Sequence, residues 1–380
     1  MNDLFDAAII GAGAFGSACA YHLSKQGKKI LVLDRFTPPH NLGSSHGDTR
    51  IIREAYYENP LYVPLVQKAY SLWDELENAS GKKLLLKTGG LMLGDPAGKV
   101  VNGTLKSAQV HHLSYEQLDA KEIKKRFPGF HPDESTTGIF EKNAGILFPE
   151  ECIRTHLSLA DTGKTYFRFD EKVSKINRYH NDVLEIITDK GVYRTAKIVL
   201  TSGAWINELL HGTELPLRIS RQLLFWFKDR NSGNQTLSPK NFPIYIWQLA
   251  DATTFYGFPD VGDGFKIASA HRGKTTTANE IDRTVSRDEI ESMIELARTH
   301  FNIEPLFHKY AVCMYTNTPD EDFVIDYHPA HDNIIIASPC SGHGFKFSSA
   351  IGKILCDMVL GENIDFDISA FRISRFAVRT

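Results

Sequence analysis

The chain has 380 residues, 42% of them hydrophobic and 23% charged, with a formal net charge of −3. That balance suits a globular chain with one large or two modest cores, and it lacks the basic excess of a nucleic-acid or anionic-membrane partner. No apolar run approaches the roughly 20 residues of a membrane span.

Met1 to Asp6 is acidic and leads straight into an apolar run, so no secretory signal is expected ahead of the fold. Ala8-Ile9-Ile10-Gly11-Ala12-Gly13-Ala14-Phe15-Gly16 then spaces three glycines as G-x-G-x-x-G. A helix-like segment from Ser17 to Gln26 follows, and a second apolar run from Lys29 to Leu33 ends in Asp34. Strand, glycine turn, helix, strand and terminal acid make a dinucleotide fingerprint, for FAD or NAD. Gly11 permits the tight turn. Gly13 lets the backbone approach a pyrophosphate at the positive helix terminus, and Gly16 lets helix and strand pack closely. Asp34 is placed to accept from a ribose diol, and Arg35 beside it joins the cofactor set.

The loop from Phe36 to Asp48 is rich in Pro, Gly, Ser and His, and helical periodicity runs from about Tyr62 to Asn78. Leu84 to Leu93 turns strand-like, and Leu118 to Arg126 reads as a short charged helix. Glu171 to Lys175 and Leu184 to Thr188 alternate like hairpin strands. Ala196 to Leu200 is a strand that stops in the Gly203-Ala204-Trp205 turn before another helix, the return of a nucleotide domain. Aromatic alternation at 223–227, 244–247 and 254–258 predicts antiparallel strands of a second domain. Asn333 to Ser338 reads as a buried strand, followed by an amphipathic helix from about Ser348 to Leu360. The C-terminal Ala377 to Thr380 is no peroxisomal address. The cysteines are Cys19, Cys152, Cys313, Cys340 and Cys356, with no C-x-x-C pair, which predicts a reduced cytoplasmic setting and no metal site.

Three further blocks join the fingerprint: Gly43-Ser44-Ser45-His46-Gly47-Asp48-Thr49-Arg50-Ile51-Ile52-Arg53, Cys313-Met314-Tyr315-Thr316-Asn317-Thr318-Pro319-Asp320, and Ser341-Gly342-His343-Gly344-Phe345-Lys346-Phe347. With Ala144 to Phe148 and Tyr256 to Pro259 they span nearly the whole chain. On these motifs the chain resembles the monomeric sarcosine oxidase and N-methyltryptophan oxidase family of FAD-dependent amine oxidases. The fold the resemblance implies is mixed α/β (α+β): a Rossmann-like FAD-binding domain with an inserted antiparallel-sheet substrate domain. The expected boundaries are 1–85, 145–215 and 313–380 for the discontinuous FAD-binding domain, and 86–144 and 216–312 for the substrate domain.

The resemblance also implies roles. Cys313 would carry FAD through a thioether, although a lone cysteine is more often a small buried hydrophobe. Arg53 and Lys346 would clamp a substrate carboxylate. Without the family, Arg50 and Arg53 read as arginines sharing a helix face, and Lys346 and Lys266 as surface lysines. His46, Thr49 and Arg50 would lie near the flavin ring, with Ser44, Gly203, Trp205, Gly342, Gly344 and Phe345 completing the cofactor set. Lys266 would assist oxygen reduction. Tyr256, Tyr315 and His271 would surround the substrate's amine and side chain. Asp320 and Asp326 read as structural.

The implied reaction is oxidation of a secondary amino acid such as sarcosine to an imine, which hydrolyses to the primary amino acid and an aldehyde while O2 becomes H2O2. The alternatives are a cyclic imino acid (pipecolate or proline), N-methyltryptophan or a glycated amine as substrate, a dehydrogenase with another electron acceptor, and a non-catalytic flavoprotein. The expected partners are a small amino acid and O2, with no nucleic acid or membrane, on a monomer.

Overall fold

The computed structural model describes residues 4–180, 182–231, 235–270 and 273–376. Its first unit is strand β1 (Leu4–Ile10), helix α1 (Ala14–Lys25) and strand β2 (Ile30–Leu33). β1 and β2 pair in parallel, Ala7 opposite Ile30 through Ile10 opposite Leu33, and β2 pairs in parallel with Thr165–Arg168. On the other side β1 pairs in parallel with Val192–Leu200, which pairs in parallel with His331–Ser338. Parallel strands buried on both faces read as continuous apolar runs, and Ile30–Leu33 is buried at every position. The hairpin Val173–His180 and Val183–Thr188 extends this eight-stranded sheet.

α1 packs between this sheet and two later helices, Pro149–Ala160 and Ser348–Leu360. The contact with the last helix is close: a Cβ on Gly352 would stand 2.5 Å from that of Ala18. The helix Val63–Ser80 closes the same layer with Trp73 fully buried.

A second, nine-stranded sheet is built around the long antiparallel pair Arg218–Asp229 and Pro305–Asn317. Among the described residues its pairings are antiparallel except one: Ile244–Gln248 runs parallel to Gly90–Gly94, a strand from the earlier part of the chain. The expected antiparallel insert is therefore a mixed sheet at that seam. One face is covered by the helix Arg287–His300, which opens with a Ser286/Glu289 capping box, and by an aromatic core in which Phe130 and Phe242 stack at 4.3 Å.

A three-stranded sheet, Arg50–Ile52 against Gly145–Leu147 against Leu85–Lys87, lies between the two larger ones in sequence. Arg50 and Arg53 thus belong to a short strand and the turn after it, not to a helix. The segment read as a helix from Leu118 is a strand, Glu116–Asp119, and only Ala120–Arg126 is helical, because Asp119 caps Glu122 and breaks the run. The segment after Ser202 is a 3-10 helix, Gly203–Leu209. Among the described residues, no helix is long and apolar enough to cross a membrane.

Candidate active site

Two cavities meet along the seam between the large sheets, sharing Ala14, Phe15, Ser44, Ser45 and Cys340 in their walls. Each encloses roughly 1070 Å³, counting space open to solvent.

The first cavity sits at the carboxyl ends of β1 and β2. Gly11 has φ +99°, and a Cβ there would lie 2.5 Å from the Thr201 carbonyl oxygen, so only glycine makes this turn. A Cβ on Gly16 would strike the Gly11 carbonyl, which fixes the close approach of α1 to β1. At Gly13, by contrast, the nearest atom to such a Cβ is the Ser45 hydroxyl at 3.9 Å, so the backbone lies open to the cavity. The N-terminus of α1 has no side-chain cap and no acid in its first turn, leaving its amides and positive dipole for a ligand. Asp34 accepts from the amides of Ala12 (2.7 Å) and Phe36 (2.9 Å), which hold it in the wall. The Arg35 guanidinium lies 5.1 Å from the centre of the Trp205 ring. The Ser202 hydroxyl is buried without a partner. An uncapped helix, an open glycine, an acid and an orphan hydroxyl fit the pyrophosphate and ribose of FAD.

The second cavity has two ends of different chemistry. At one end Cys313 is 2% exposed. His46 Nε2 stands 3.3 Å from its sulfur, and Arg50 Nη2 stands 3.9 Å from it. Arg50 is anchored by donating to the carbonyls of Ser44 (2.7 Å) and His46 (2.5 Å). Burial pushes the Cys313 thiol up, while Arg50 and Lys266 pull against it. Burial and the neighbouring cations lower His46 to about 3, so its ring is neutral near pH 7.

At the other end lie two buried cations. Arg53 is 1% exposed: its Nη2 meets Glu58 Oε2 at 2.5 Å, its Nη1 donates to the Ala55 carbonyl at 2.8 Å, and its Nε is buried with no partner. The Lys346 Nζ donates to the His343 carbonyl (2.6 Å) and to the Tyr56 hydroxyl (3.3 Å). Burial and then Arg53 lower Lys346 to about 7. His343 Nε2 sits 2.9 Å from the Glu321 carbonyl, which makes Nε2 the donor and leaves Nδ1 to accept from Tyr56 at 2.5 Å. Between the two ends stand Tyr256 and Tyr315, their hydroxyls 3.0 Å apart, with Leu224 and Ile246 as apolar wall.

The family model described as FAD dependent oxidoreductase matches residues 6–358. A monomeric sarcosine oxidase from Streptomyces avermitilis is 40% identical over 99% of both chains. An N-methyl-L-tryptophan oxidase from Salmonella newport is 36% identical over 98% of this chain and 99% of its own. The chain belongs to this family of FAD-dependent oxidoreductases. NikD, an unusual amino acid oxidase essential for nikkomycin biosynthesis, shares the fold, with a TM-score of 0.84, 97% of each chain covered and 21% identity.

The family's motifs converge from distant parts of the chain. Gly11, Gly13, Asp34, Arg35, Ser44, Gly203 and Trp205 line the first cavity. Arg50, Arg53, Tyr256, Cys313, Tyr315, Gly342, Gly344, Phe345 and Lys346 line the second, with Ser44 again. Gly16 serves packing behind the first cavity. Lys266 and Thr49 stand in neither wall. Lys266 is 2% exposed, and its Nζ donates to the carbonyls of Gly47 (2.6 Å) and Thr49 (3.1 Å) and to the Thr49 hydroxyl (2.9 Å), behind the turn that carries His46. His46 faces a separate shallow opening that it shares with Trp226 and Lys309. His271 lies outside the described residues. Asp320 pairs with Arg375 at 2.7 Å, and Asp326 accepts from the Ile373 amide at 2.9 Å. Neither lysine is a surface group, and Arg53 is no solvated arginine. Glu58, Tyr57 and Ile246 also line the second cavity, and sequence reasoning gave none of them a place in the site. His343 lies in a quoted motif but was given no role.

Proposed function

We propose that the protein oxidises a secondary α-amino acid, with sarcosine as the model substrate, and passes the electrons to O2. The observation that carries this reading is the pair of buried cations, Arg53 and Lys346, at the end of the cavity opposite Cys313 and Arg50. Arg53 offers a planar fork with an unused Nε–H to a carboxylate, and Lys346 adds a compact charge. Tyr256, Tyr315, Ile246 and Leu224 supply a mixed apolar and hydroxylated wall for the N-alkyl group and side chain. The amine must be neutral to give up electrons, and a desolvated amine among cations loses its proton more readily. FAD, when bound between these walls, would supply the hydride acceptor for the carbon next to nitrogen. The oxidised substrate is an imine, and water hydrolyses the sarcosine imine to glycine and formaldehyde.

The same reading takes O2 as acceptor and H2O2 as product, with Arg50 and Lys266 supplying preorganised positive charge for the anion that forms first. It takes Cys313 as the residue that would hold FAD covalently, with Arg50 beside the sulfur to favour its thiolate and neutral His46 in contact with it. It takes 1–85, 145–215 and 313–380 as the FAD-binding part, and 86–144 and 216–312 as the substrate part. A monomer is supported by the relatives named for that state, and a cytoplasmic setting by five unpaired thiols.

The test is anaerobic bleaching of the yellow protein by a panel: sarcosine, N-methyl-L-alanine, N-methyl-L-tryptophan, L-proline, L-pipecolate, a fructosyl amino acid and a primary D-amino acid. Rapid bleaching by one or two secondary amines is expected. A protein bleached only by the primary amine, or by none, refutes the proposal.

A further inference from the structure

We infer that Glu141 is a positioning residue for substrate binding, whose carboxylate fixes the backbone that aims Arg53 into the cavity; the inference rests on the amine-oxidase reading above. Glu141 ends the strand Thr137–Glu141 and is 3% exposed. Its two oxygens take the amides of the two residues that follow Arg53: Oε1 accepts from Glu54 at 2.7 Å and Oε2 from Ala55 at 2.8 Å. The Ala55 carbonyl in turn accepts from Arg53 Nη1 at 2.8 Å. Glu141, the Ala55 peptide groups and the Arg53 side chain therefore form one continuous hydrogen-bonded path.

The chain needs such a support at this point. The strand Arg50–Ile52 loses its partner after Ile52, which pairs with Gly145, so the amides of 54 and 55 have no ladder to join. A carboxylate presents two acceptor oxygens and no donor, which suits two consecutive amides. Burying it is costly, and burial pushes Glu141 up to about 7 although both amides and Arg53 pull it down. Glu141 is not among the residues that line the cavity. Its effect therefore passes through Arg53. Of the remaining Arg53 nitrogens, Nη2 is held by Glu58 and Nε is free. Without Glu141, the guanidinium keeps its charge and loses its aim.

The experiment uses the FAD-loaded enzyme and two readouts. The first is the KM and kcat of Glu141→Gln with the best secondary amine of the panel. The second is the Kd of butyrate, a carboxylate isostere of sarcosine without nitrogen, read from the flavin absorbance change, with butyramide as the uncharged control. The variant places an amide N–H against a backbone N–H. KM and butyrate Kd should rise roughly tenfold or more, the scale of a hydrogen bond to a charged group, with kcat and butyramide binding within about threefold of wild type. Wild-type butyrate affinity, or a fall in kcat with KM unchanged, overturns the inference. If Glu141→Gln loses FAD or does not fold, Glu141→Asp carries the same test, because it keeps the charge but withdraws the oxygens from both amides. A raised Kd supports the positioning role and a wild-type Kd refutes it. A wild-type enzyme that no carboxylated secondary amine reduces refutes the functional reading itself, which is a separate outcome.

Discussion

Arg53 Nη2 and Glu58 Oε2 lie 2.5 Å apart, so the cation assigned to a substrate carboxylate already holds a carboxylate of its own chain. The two partners differ in access. The Arg53 side chain is 1% exposed and that of Glu58 is 21% exposed. Burial alone pushes Glu58 up, but Arg53, His343 and Lys346 outweigh it and hold the carboxyl below its usual range. The buried guanidinium therefore has an anion of its own chain beside it, and a substrate carboxylate would compete with Glu58 for it.

Replacement of Arg53 by Met should therefore raise KM for a carboxylated amine about ten- to a hundredfold, the worth of one or two charge-assisted hydrogen bonds. The rate of flavin reduction at saturating substrate should change much less, because the substitution touches the carboxylate end of the cavity. Steady-state kinetics at fixed oxygen measure the split. A near-native KM removes Arg53 from the clamp.

Lys346 makes the clamp sensitive to pH. Burial and then Arg53 lower it to about 7, so it is a cation below that pH and loses its charge as pH rises through it. Carboxylate binding needs the cation, so butyrate affinity should be highest below pH 7 and fall above it, by at most about tenfold per pH unit for one linked proton. Bound carboxylate stabilises the cation and moves the midpoint upward. In Lys346→Met the affinity should be low and this dependence gone. A wild-type Kd that is flat from pH 6 to 9 would falsify the assignment.

The turn and helix end of the first cavity were legible in the residue spacing itself, whereas Arg53, Lys346, Tyr256 and Tyr315 of the second were named only through the family motifs, for a physical reason. Gly11, Gly13, Gly16 and Asp34 act through a local turn and one helix end, so their spacing carries their purpose. Arg50 and Arg53 looked like neighbours on a helix because their strand is only three residues long and its partner, Gly145–Leu147, is remote in sequence. Lys266 looked like a surface lysine because its three acceptors belong to Gly47 and Thr49, at the other end of the chain's logic. Glu58 and Glu141 have no motif at all. One faces a cavity and the other two backbone amides, and neither relation leaves a period in the sequence.

Cys313 is buried with neutral His46 at 3.3 Å and Arg50 at 3.9 Å. A thiol raised by burial needs a nearby cation to react as thiolate, which Arg50 supplies, while the neutral His46 ring holds the sulfur in place. In Cys313→Ala, FAD should stay bound in the native protein yet be released entirely to the supernatant by acid precipitation, whereas wild type should carry the yellow colour into the pellet. His46→Asn should slow colour retention during reconstitution of apoprotein with FAD without changing how tightly FAD is finally held. Wild-type protein that releases all its colour would end the covalent assignment.

Lys266 offers the sharpest separation of two half-reactions. Its ammonium spends all three donors on the Gly47–Thr49 turn, so it is a fixed charge that no substrate displaces. Burial and then Arg50 lower its pKa, and the three acceptors favour the ammonium form against them. Lys266→Met removes one donor each from the Gly47 and Thr49 carbonyls, which keep the Thr49 amide (2.7 Å) and Arg50 Nη1 (2.8 Å), so a loss of about 1 kcal/mol and a small fall in melting temperature are expected. The kinetic signature is separate. Reduction by substrate depends on Arg53, Lys346 and the apolar wall, which Lys266 meets only at the Phe258 ring (4.6 Å), and should stay within a few-fold of wild type. Reoxidation by O2 depends on preorganised positive charge and should slow by roughly a hundredfold, the scale seen when one such electrostatic group is removed. Stopped-flow measurement of the two half-reactions decides between charge and scaffold. Equal slowing of both would make Lys266 a support for the turn, and slowing of reduction alone would move its role to the substrate side.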